Sequence, residues 1–197
     1  MVSCDAALAR LCDPAAEVSA HYLISEQGAI LALVSEDKRA WHAGAGAWCG
    51  LEDINSRSIG IELANDGAQP FAAAQMRALE ELLAGVMARW AIGPQGVIAH
   101  SDMAPGRKGD PGARFDWRRL ALQGLAVWPQ AAKPRPTVEF MSDALRFGYP
   151  KQAADHVLAA FRLRFRPWAS GPLDRVDAGL MANLADRFGV DAKPPLA

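Results

Sequence analysis

Residues 98–112 carry the sequence Ile98-Ala-His-Ser-Asp-Met-Ala-Pro-Gly-Arg-Lys-Gly-Asp-Pro-Gly112. The apolar run at 97–99 predicts a short strand that His100 closes, and the glycines and prolines beyond it predict a loop. An imidazole and a carboxylate suit a borderline-soft cation such as zinc, and a loop can fold Asp110 back beside His100. Lys108 could lie over the same site and stabilise a developing oxyanion. The alternative is a strand end followed by a solvated turn.

A second stretch, Ser58-Ile-Gly-Ile-Glu-Leu63, predicts a strand with a carboxylate in its middle. Alternation places the apolar side chains on one face and Glu62 on the other. A carboxylate within an apolar strand costs free energy unless it has a partner or a task. Glu62 is therefore a candidate catalytic group, and the alternative is a strand-edge glutamate that faces solvent.

Composition predicts an ordinary globular protein and excludes several functions. The chain has 197 residues, 22% of them charged, and a net charge of -1, which gives no overall attraction to nucleic acid or anionic membrane. There is no run of 18 apolar residues, and the charged residues within 1–20 argue against a signal peptide there. Three isolated cysteines favour neither a disulfide framework nor a cysteine zinc site, and they fit a reducing compartment.

The remaining periodicities predict a mixed α/β sheet flanked by helices, which is the expected fold class. Short helices are predicted at 6–12 and from 115 onward, a hairpin at 18–24 and 30–34, and an amphipathic helix at 70–90.

A linker rich in proline at 131–137 is predicted to precede a small three-helix domain at 138–197. Its helices are expected at 138–147, 156–165 and 180–188, with His156 on the surface. The arginines Arg162, Arg164 and Arg166 are interpreted as a solvated basic face. The alternative is a generic helical cap on the first domain.

Four motifs occur in order: Val18-Ser-Ala-His-Tyr22, Ala40-Trp-His-Ala-Gly44, Ser58-Ile-Gly-Ile-Glu62 and the segment from His100 to Gly112. Together they resemble the zinc-dependent N-acetylmuramoyl-L-alanine amidases, which share their fold with phage T7 lysozyme and the peptidoglycan recognition proteins. The resemblance implies an amidase domain at 1–130. The helices that follow resemble the peptidoglycan-binding domain found after the catalytic domain of some of these amidases.

The resemblance implies hydrolysis of the amide between N-acetylmuramic acid and L-alanine in peptidoglycan or muropeptides. It implies Zn²⁺ held by His100 and Asp110 together with a further histidine, with Glu62 as base and then acid and Lys108 on the oxyanion. It also assigns Trp41, His42 and Arg107 to substrate binding. For His42 the alternative is a structural loop histidine. Trp41 and Trp48 are candidate apolar walls for a sugar or peptide, and the alternative for both is a place in the core.

One departure from the family pattern bears on activity. The resemblance places the first zinc-ligand histidine on a strand immediately before Met1, so we expect that strand and its histidine to be missing from this sequence. His21 matches a non-ligand position, so we expect it to be packed and hydrogen-bonded. We expect Met1 to be an internal methionine of a longer protein, and a vacant strand position beside the strand of His100. The alternatives are a non-catalytic peptidoglycan-binding module or a structural remnant. We expect a cytoplasmic location, or a periplasmic or outer-membrane-anchored one if a signal lies upstream.

Overall fold

The computed structural model describes residues 3–190 and divides into two compact units, which are treated separately below. Within the described residues, the first unit contains 3–46, 52–92 and 114–116, and the second contains 47–51, 93–113 and 117–190. No helix of the described part is long and apolar enough to cross a membrane.

A small mixed sheet forms the centre of the first unit. Its strands are β1 (Tyr22–Ile24), β2 (Ile30–Ala32) and β3 (Ile61–Leu63), in the order β2-β1-β3. The pair β1–β2 is antiparallel, as the predicted hairpin requires, whereas β1 and β3 are parallel. The prediction of a mixed sheet is therefore confirmed, although β3 is shorter than the strand predicted at 58–63.

Two helices cover this sheet. Helix α1 spans Cys4–Leu11, and α2 spans Ala73–Trp90. The side chain of Gln75 on α2 is fully buried, and its amide donates to the carbonyl oxygens of Ile24 at 2.9 Å and Ala64 at 3.0 Å. One helical side chain thus satisfies backbone acceptors at the ends of two parallel strands, which ties α2 to the sheet.

The second unit is helical. Its helices are α3 (His100–Met103), α4 (Trp117–Leu122), α5 (Phe140–Phe147), α6 (Ala154–Phe165) and α7 (Arg175–Phe188). The last three confirm the predicted helical C-terminal part. Phenylalanine rings form the buried core between them: Phe140 lies 5.7 Å from Phe161, and Phe147 lies 6.1 Å from Phe165, between ring centroids.

The strand predicted at 97–99 is wrong. These residues belong to no strand in the described part of the chain, and His100 begins helix α3. A strand needs a neighbour to accept and donate its backbone hydrogen bonds. Here the Val97 carbonyl accepts from the Arg164 guanidinium at 3.0 Å, and the Ala99 N–H donates to the Asp102 carboxylate at 2.8 Å. A vacant strand position was predicted beside this strand. Because 97–99 form no strand in the described part of the chain, that prediction no longer applies.

The interpretation of the three arginines of 162–166 as a solvated face is also wrong. Arg162 is 8% exposed and Arg164 is 2% exposed. Each guanidinium pairs with a carboxylate that has no exposed surface, on Asp177 and Asp102 respectively. The periodicity of the helix could not reveal these ion pairs, because the carboxylates of Asp177 and Asp102 lie outside the helix.

A polar cluster around Glu36 fastens the end of α2 to β1. The Glu36 carboxylate accepts from the Tyr22 hydroxyl at 2.7 Å, from Arg89 Nε at 3.0 Å and from Trp90 Nε1 at 2.6 Å. The Arg89 hydrogen bond, aided by those from Tyr22 and Trp90, outweighs desolvation and lowers the pKa of Glu36 from 4.5 to about 2.

We expect the Glu36 cluster to make stability depend on acid pH. Because the folded-state pKa is lowered, the stabilisation is present above pH 4.5 and is lost as pH falls toward 2. The shift corresponds to at most about 3 kcal/mol. Glu36→Gln should unfold at lower urea than wild type at pH 7, and the gap should narrow between pH 4.5 and pH 2, as followed by circular dichroism.

The control for this experiment is Glu81→Gln, which changes an exposed glutamate on the same helix that carries Arg89. Its urea midpoint should follow that of wild type across the pH range. Equal midpoints for Glu36→Gln and wild type at pH 7 would contradict the role given to the cluster.

Candidate functional site

His100 and Asp110 meet in the second unit, as the sequence predicts. Nδ1 of His100 lies 2.9 Å from Oδ2 of Asp110. The backbone supports this pair, since the Ser101 N–H donates to the Asp110 carbonyl oxygen at 3.1 Å. The imidazole is largely covered, with 17% of its side chain exposed, whereas 59% of the Asp110 side chain is exposed.

The loop after α3 carries the predicted Lys108 and Arg107. The N–H groups of Arg107 and Lys108 both donate to the Ala104 carbonyl oxygen, at 3.1 and 3.0 Å, which closes the chain into a tight turn. Both side chains are exposed. The turn thus presents two cationic groups immediately before Asp110.

The charge state of Asp110 reflects these neighbours. Partial burial opposes ionisation, but the hydrogen bond and charge of His100, together with the charge of Lys108, outweigh it and lower the pKa of Asp110. The carboxylate is therefore anionic at neutral pH, which is the form that binds a cation or holds an imidazole.

His21 in the first unit is a structural histidine, as expected. It is 1% exposed, and its Nε2 donates to the Lys38 carbonyl oxygen at 3.0 Å in the tautomer whose Nδ1 accepts from the Gly60 N–H at 2.9 Å. Both ring nitrogens are therefore engaged, and neither has a lone pair available for a metal.

His42 packs against His21 in the first unit. Its ring makes an edge contact with His21 at 5.6 Å between centroids. A Cβ placed on Gly60 would come within 2.3 Å of His42 Cγ, so only glycine leaves room for the imidazole. The backbone N–H groups of His42 and Ala43 both donate to Oδ1 of the buried Asn55, at 3.0 and 2.8 Å. The loop that carries His42 is thus tied to the segment before β3.

The two tryptophans considered as apolar walls have different environments. Trp41 is 55% exposed, and the Arg39 guanidinium lies 4.3 Å from its ring centroid while pairing with Asp53 at 2.9 Å. Trp48 is 9% exposed and contacts Phe147, so it belongs to the core of the second unit. Of these two tryptophans, only Trp41 presents a ring surface that a ligand could contact.

Glu62 occupies the middle of β3, opposite Leu23 of β1 in the parallel register. Its side chain is half-buried. This placement matches the predicted carboxylate within an apolar strand, and β3 is one of the two edge strands of the described sheet.

The described residues do not complete a zinc site. A catalytic zinc normally has three protein ligands and an open position for water. Within 3–190 no group of three or more histidine, cysteine, aspartate or glutamate side chains could hold a metal ion. The pair of His100 and Asp110 supplies two donors, so the donor set of the described part does not fit the metal by itself.

Several residues that shape these sites escape sequence reasoning. Asn55, Asp102 and Arg164 are all buried and hydrogen-bonded to loops that carry predicted site residues. The sequence held one indication, and it concerned Arg164. This residue lies between Phe161 and Phe165 on a predicted helix, and a charge among apolar residues is expensive to bury without a partner.

Comparison with known proteins places the chain in a family. The family model of N-acetylmuramoyl-L-alanine amidase matches residues 1–113. N-acetylmuramoyl-L-alanine amidase AmiD of Escherichia coli is 36% identical over an alignment of 223 residues, which covers 95% of this chain and 80% of AmiD. The 1,6-anhydro-N-acetylmuramyl-L-alanine amidase AmpD of Haemophilus influenzae is 44% identical over 103 residues, which cover 52% of this chain and 56% of AmpD.

Solved structures agree with this placement. The complex of Escherichia coli AmiD with the substrate anhydro-N-acetylmuramic acid-L-Ala-D-gamma-Glu-L-Lys matches with a TM-score of 0.87 at 36% identity, covering 95% of this chain and 86% of that one. AmpDh3 of Pseudomonas aeruginosa, in complex with anhydromuramic pentapeptide, matches with a TM-score of 0.82 at 28% identity, covering 94% and 88%.

The matches in sequence and in fold define this chain as an amidase of the class suggested by the motifs. The chain belongs to the N-acetylmuramoyl-L-alanine amidase family.

We expect Gly60→Ala to disturb both histidines of the first unit. The added methyl must displace the His42 ring, so the free energy of unfolding should fall by about 1–3 kcal/mol. The measurement is urea unfolding, combined with the NMR signals of the His42 and His21 rings. Gly109→Ala is the control, because a Cβ there meets nothing within 4 Å. Unchanged ring signals in Gly60→Ala would show that the close packing is not needed.

Proposed function

We propose that this chain hydrolyses the amide bond between N-acetylmuramic acid and L-alanine in muropeptides. The observation that carries the proposal is the match to the AmiD–substrate complex, at a TM-score of 0.87 over 95% of this chain. The ligand in that complex is a small anhydro-muropeptide. A soluble fragment of this kind is therefore the first substrate to test.

The reaction adds water across the amide. The water oxygen forms a bond to the carbonyl carbon, and the bond from that carbon to the alanine nitrogen breaks. Glu62 accepts a proton from the attacking water and returns it to the departing amine, which is the task that a half-buried carboxylate can perform. Lys108 stabilises the negative charge on the carbonyl oxygen of the tetrahedral intermediate.

Recognition of the substrate is assigned to three further side chains. Trp41 offers an exposed ring for the sugar or the peptide stem. His42 is held by Asn55 through its backbone N–H, so its loop is preorganised. Arg107 is exposed and lies next to Lys108, where it can bind an acidic group of the stem.

The family is generally zinc-dependent. His100 and Asp110 stay the predicted ligand pair, and a third donor has to come from outside the described residues or from the substrate. Glu62 transfers a proton between water and the departing amine, and Lys108 stabilises charge on the carbonyl oxygen. Neither role requires either residue to be a metal ligand.

A second candidate is a non-catalytic module that binds peptidoglycan. The observation that favours it is that residues 3–190 bring together two metal donors, where a catalytic zinc normally has three. The two candidates differ in a measurable way, because a binding module retains the muropeptide without cleaving it.

We expect Glu62→Gln to lower kcat by about 10²–10⁴-fold while leaving KM within a few-fold of wild type. Lys108→Met should lower kcat by about 10²–10³-fold, because an oxyanion donor acts in the transition state. The assay follows release of the peptide from the anhydro-N-acetylmuramic acid tripeptide by liquid chromatography and mass spectrometry, with and without added zinc.

Glu81→Gln serves as the control for a carboxylate removed from an exposed helix face. Zinc content per chain is measured by elemental analysis for wild type and Asp110→Asn. Binding of the tripeptide by calorimetry with no hydrolysis in wild type, at any zinc concentration, would overturn the amidase proposal in favour of the binding module.

A further inference from the structure

Arg164 lies at the centre of a buried cluster in the second unit. It projects from α6, is 2% exposed, and contacts the segment on both sides of His100. Its Nη1 donates to Asp102 Oδ2 at 2.5 Å, and its Nη2 donates to the Val97 carbonyl oxygen at 3.0 Å. Val97 precedes His100 by three residues and Asp102 follows it by two, so one guanidinium holds both ends of the short segment that carries the imidazole.

Asp102 extends the hydrogen bonds of Arg164 to the backbone before His100 and to Tyr149. Its Oδ2 also accepts from the Ala99 N–H at 2.8 Å, and its Oδ1 accepts from the Tyr149 hydroxyl at 2.9 Å. Asp102 has no exposed surface, and Tyr149 is 2% exposed. The backbone immediately before His100 is therefore fixed by a carboxylate that is itself held by two buried donors.

The guanidinium is also fixed in orientation. Its central carbon lies 4.1 Å from the ring centroid of Trp117 and 5.0 Å from that of Phe165. A planar cation stacked on an aromatic ring has few alternative rotamers, and its two donor directions are set together. Lysine could supply the charge in this place but not both directed hydrogen bonds.

We propose that Arg164 is a positioning residue for the His100 imidazole, acting through Asp102 and the Val97 carbonyl. Because the Ser101 N–H bonds the Asp110 carbonyl at 3.1 Å, the same restraint extends to the partner of His100. The proposal rests on the proposed function for its kinetic consequence, since a small displacement of a site residue can cost about 10²-fold in rate. Its structural consequence is independent of activity.

The chain offers a matched control in Arg162. This arginine lies on the same helix, is 8% exposed, and pairs with the fully buried Asp177. It also donates to backbone carbonyl oxygens, those of Gly171 and Pro172, at 2.6 and 2.9 Å. Arg162→Met and Arg164→Met each remove a buried arginine–carboxylate pair, although Asp177 also pairs with Arg166. Of the two arginines, only Arg164 contacts the segment 97–102.

The test compares wild type, Arg164→Met, Arg164→Lys and Arg162→Met in the full chain at pH 7.5. The first readout is the proton–nitrogen NMR spectrum of the histidine side chains, in which His100 is assigned by loss of its signals in His100→Gln. The second is kcat and KM for the anhydro-muropeptide. We expect Arg164→Met to shift the His100 signals and to lower kcat about 10- to 100-fold with KM little changed. Arg164→Lys should be intermediate in both readouts.

We expect Arg162→Met to melt at a lower temperature than wild type while retaining the His100 signals and keeping kcat within about two-fold. Unchanged His100 signals in a folded Arg164→Met, or equal shifts in both methionine variants, would overturn the positioning role. If Arg164→Met does not fold, Tyr149→Phe decides, because it removes only the hydroxyl that donates to Asp102. That variant should shift the His100 signals relative to wild type, and no shift would contradict the proposal.

The two proposals can fail separately. A wild-type chain that does not cleave the muropeptide contradicts the proposed amidase function. The NMR comparison of the methionine variants still decides whether Arg164 positions His100.

Discussion

A charged carboxylate buried away from water must have partners, and Asp102 meets this requirement in a way that shapes the second unit. It pairs with Arg164, accepts from Tyr149, and accepts from the backbone just before His100. A buried pair of this kind contributes little net stability compared with apolar packing, but breaking it leaves an uncompensated charge. The arrangement therefore favours one conformation of the segment that carries His100, together with the docking of α6 on that segment.

In the first unit, neutral groups rather than charged ones hold the loop of His42 in one conformation. His21 satisfies a backbone donor on Gly60 and a backbone acceptor on Lys38 at once, which fixes its tautomer. Gly60 then leaves the space that His42 fills. Asn55 completes the set by accepting two backbone N–H groups from the His42 loop. Each contact satisfies a polar group that would otherwise be buried without a partner, so the loop and the start of β3 are held in one arrangement.

Much of the candidate site could be read from residue types and spacing. The pairing of His100 with Asp110 follows from a turn rich in glycine and proline, which can return the chain within ten residues. The identification of His21 as a packed residue also holds. The strand before His100 was wrong because hydrophobic run length does not tell whether a hydrogen-bonding neighbour exists. The arginines of α6 were misread because their partners lie outside the helix, 15 residues away for Asp177 and 62 residues away for Asp102.

The sequence by itself determined the family, the mixed sheet, the three C-terminal helices and the residue types available for chemistry, because these depend on local periodicity and on motifs of short span. Only the tertiary structure decided which polar groups are buried and what satisfies them. It turned a supposed basic surface of three arginines into ion pairs with Asp102, Asp174 and Asp177, and it made Arg164 a neighbour of the His100 segment. The physical reason is that the cost of burying a charge depends on partners brought together by folding, and sequence separation carries no information about that distance.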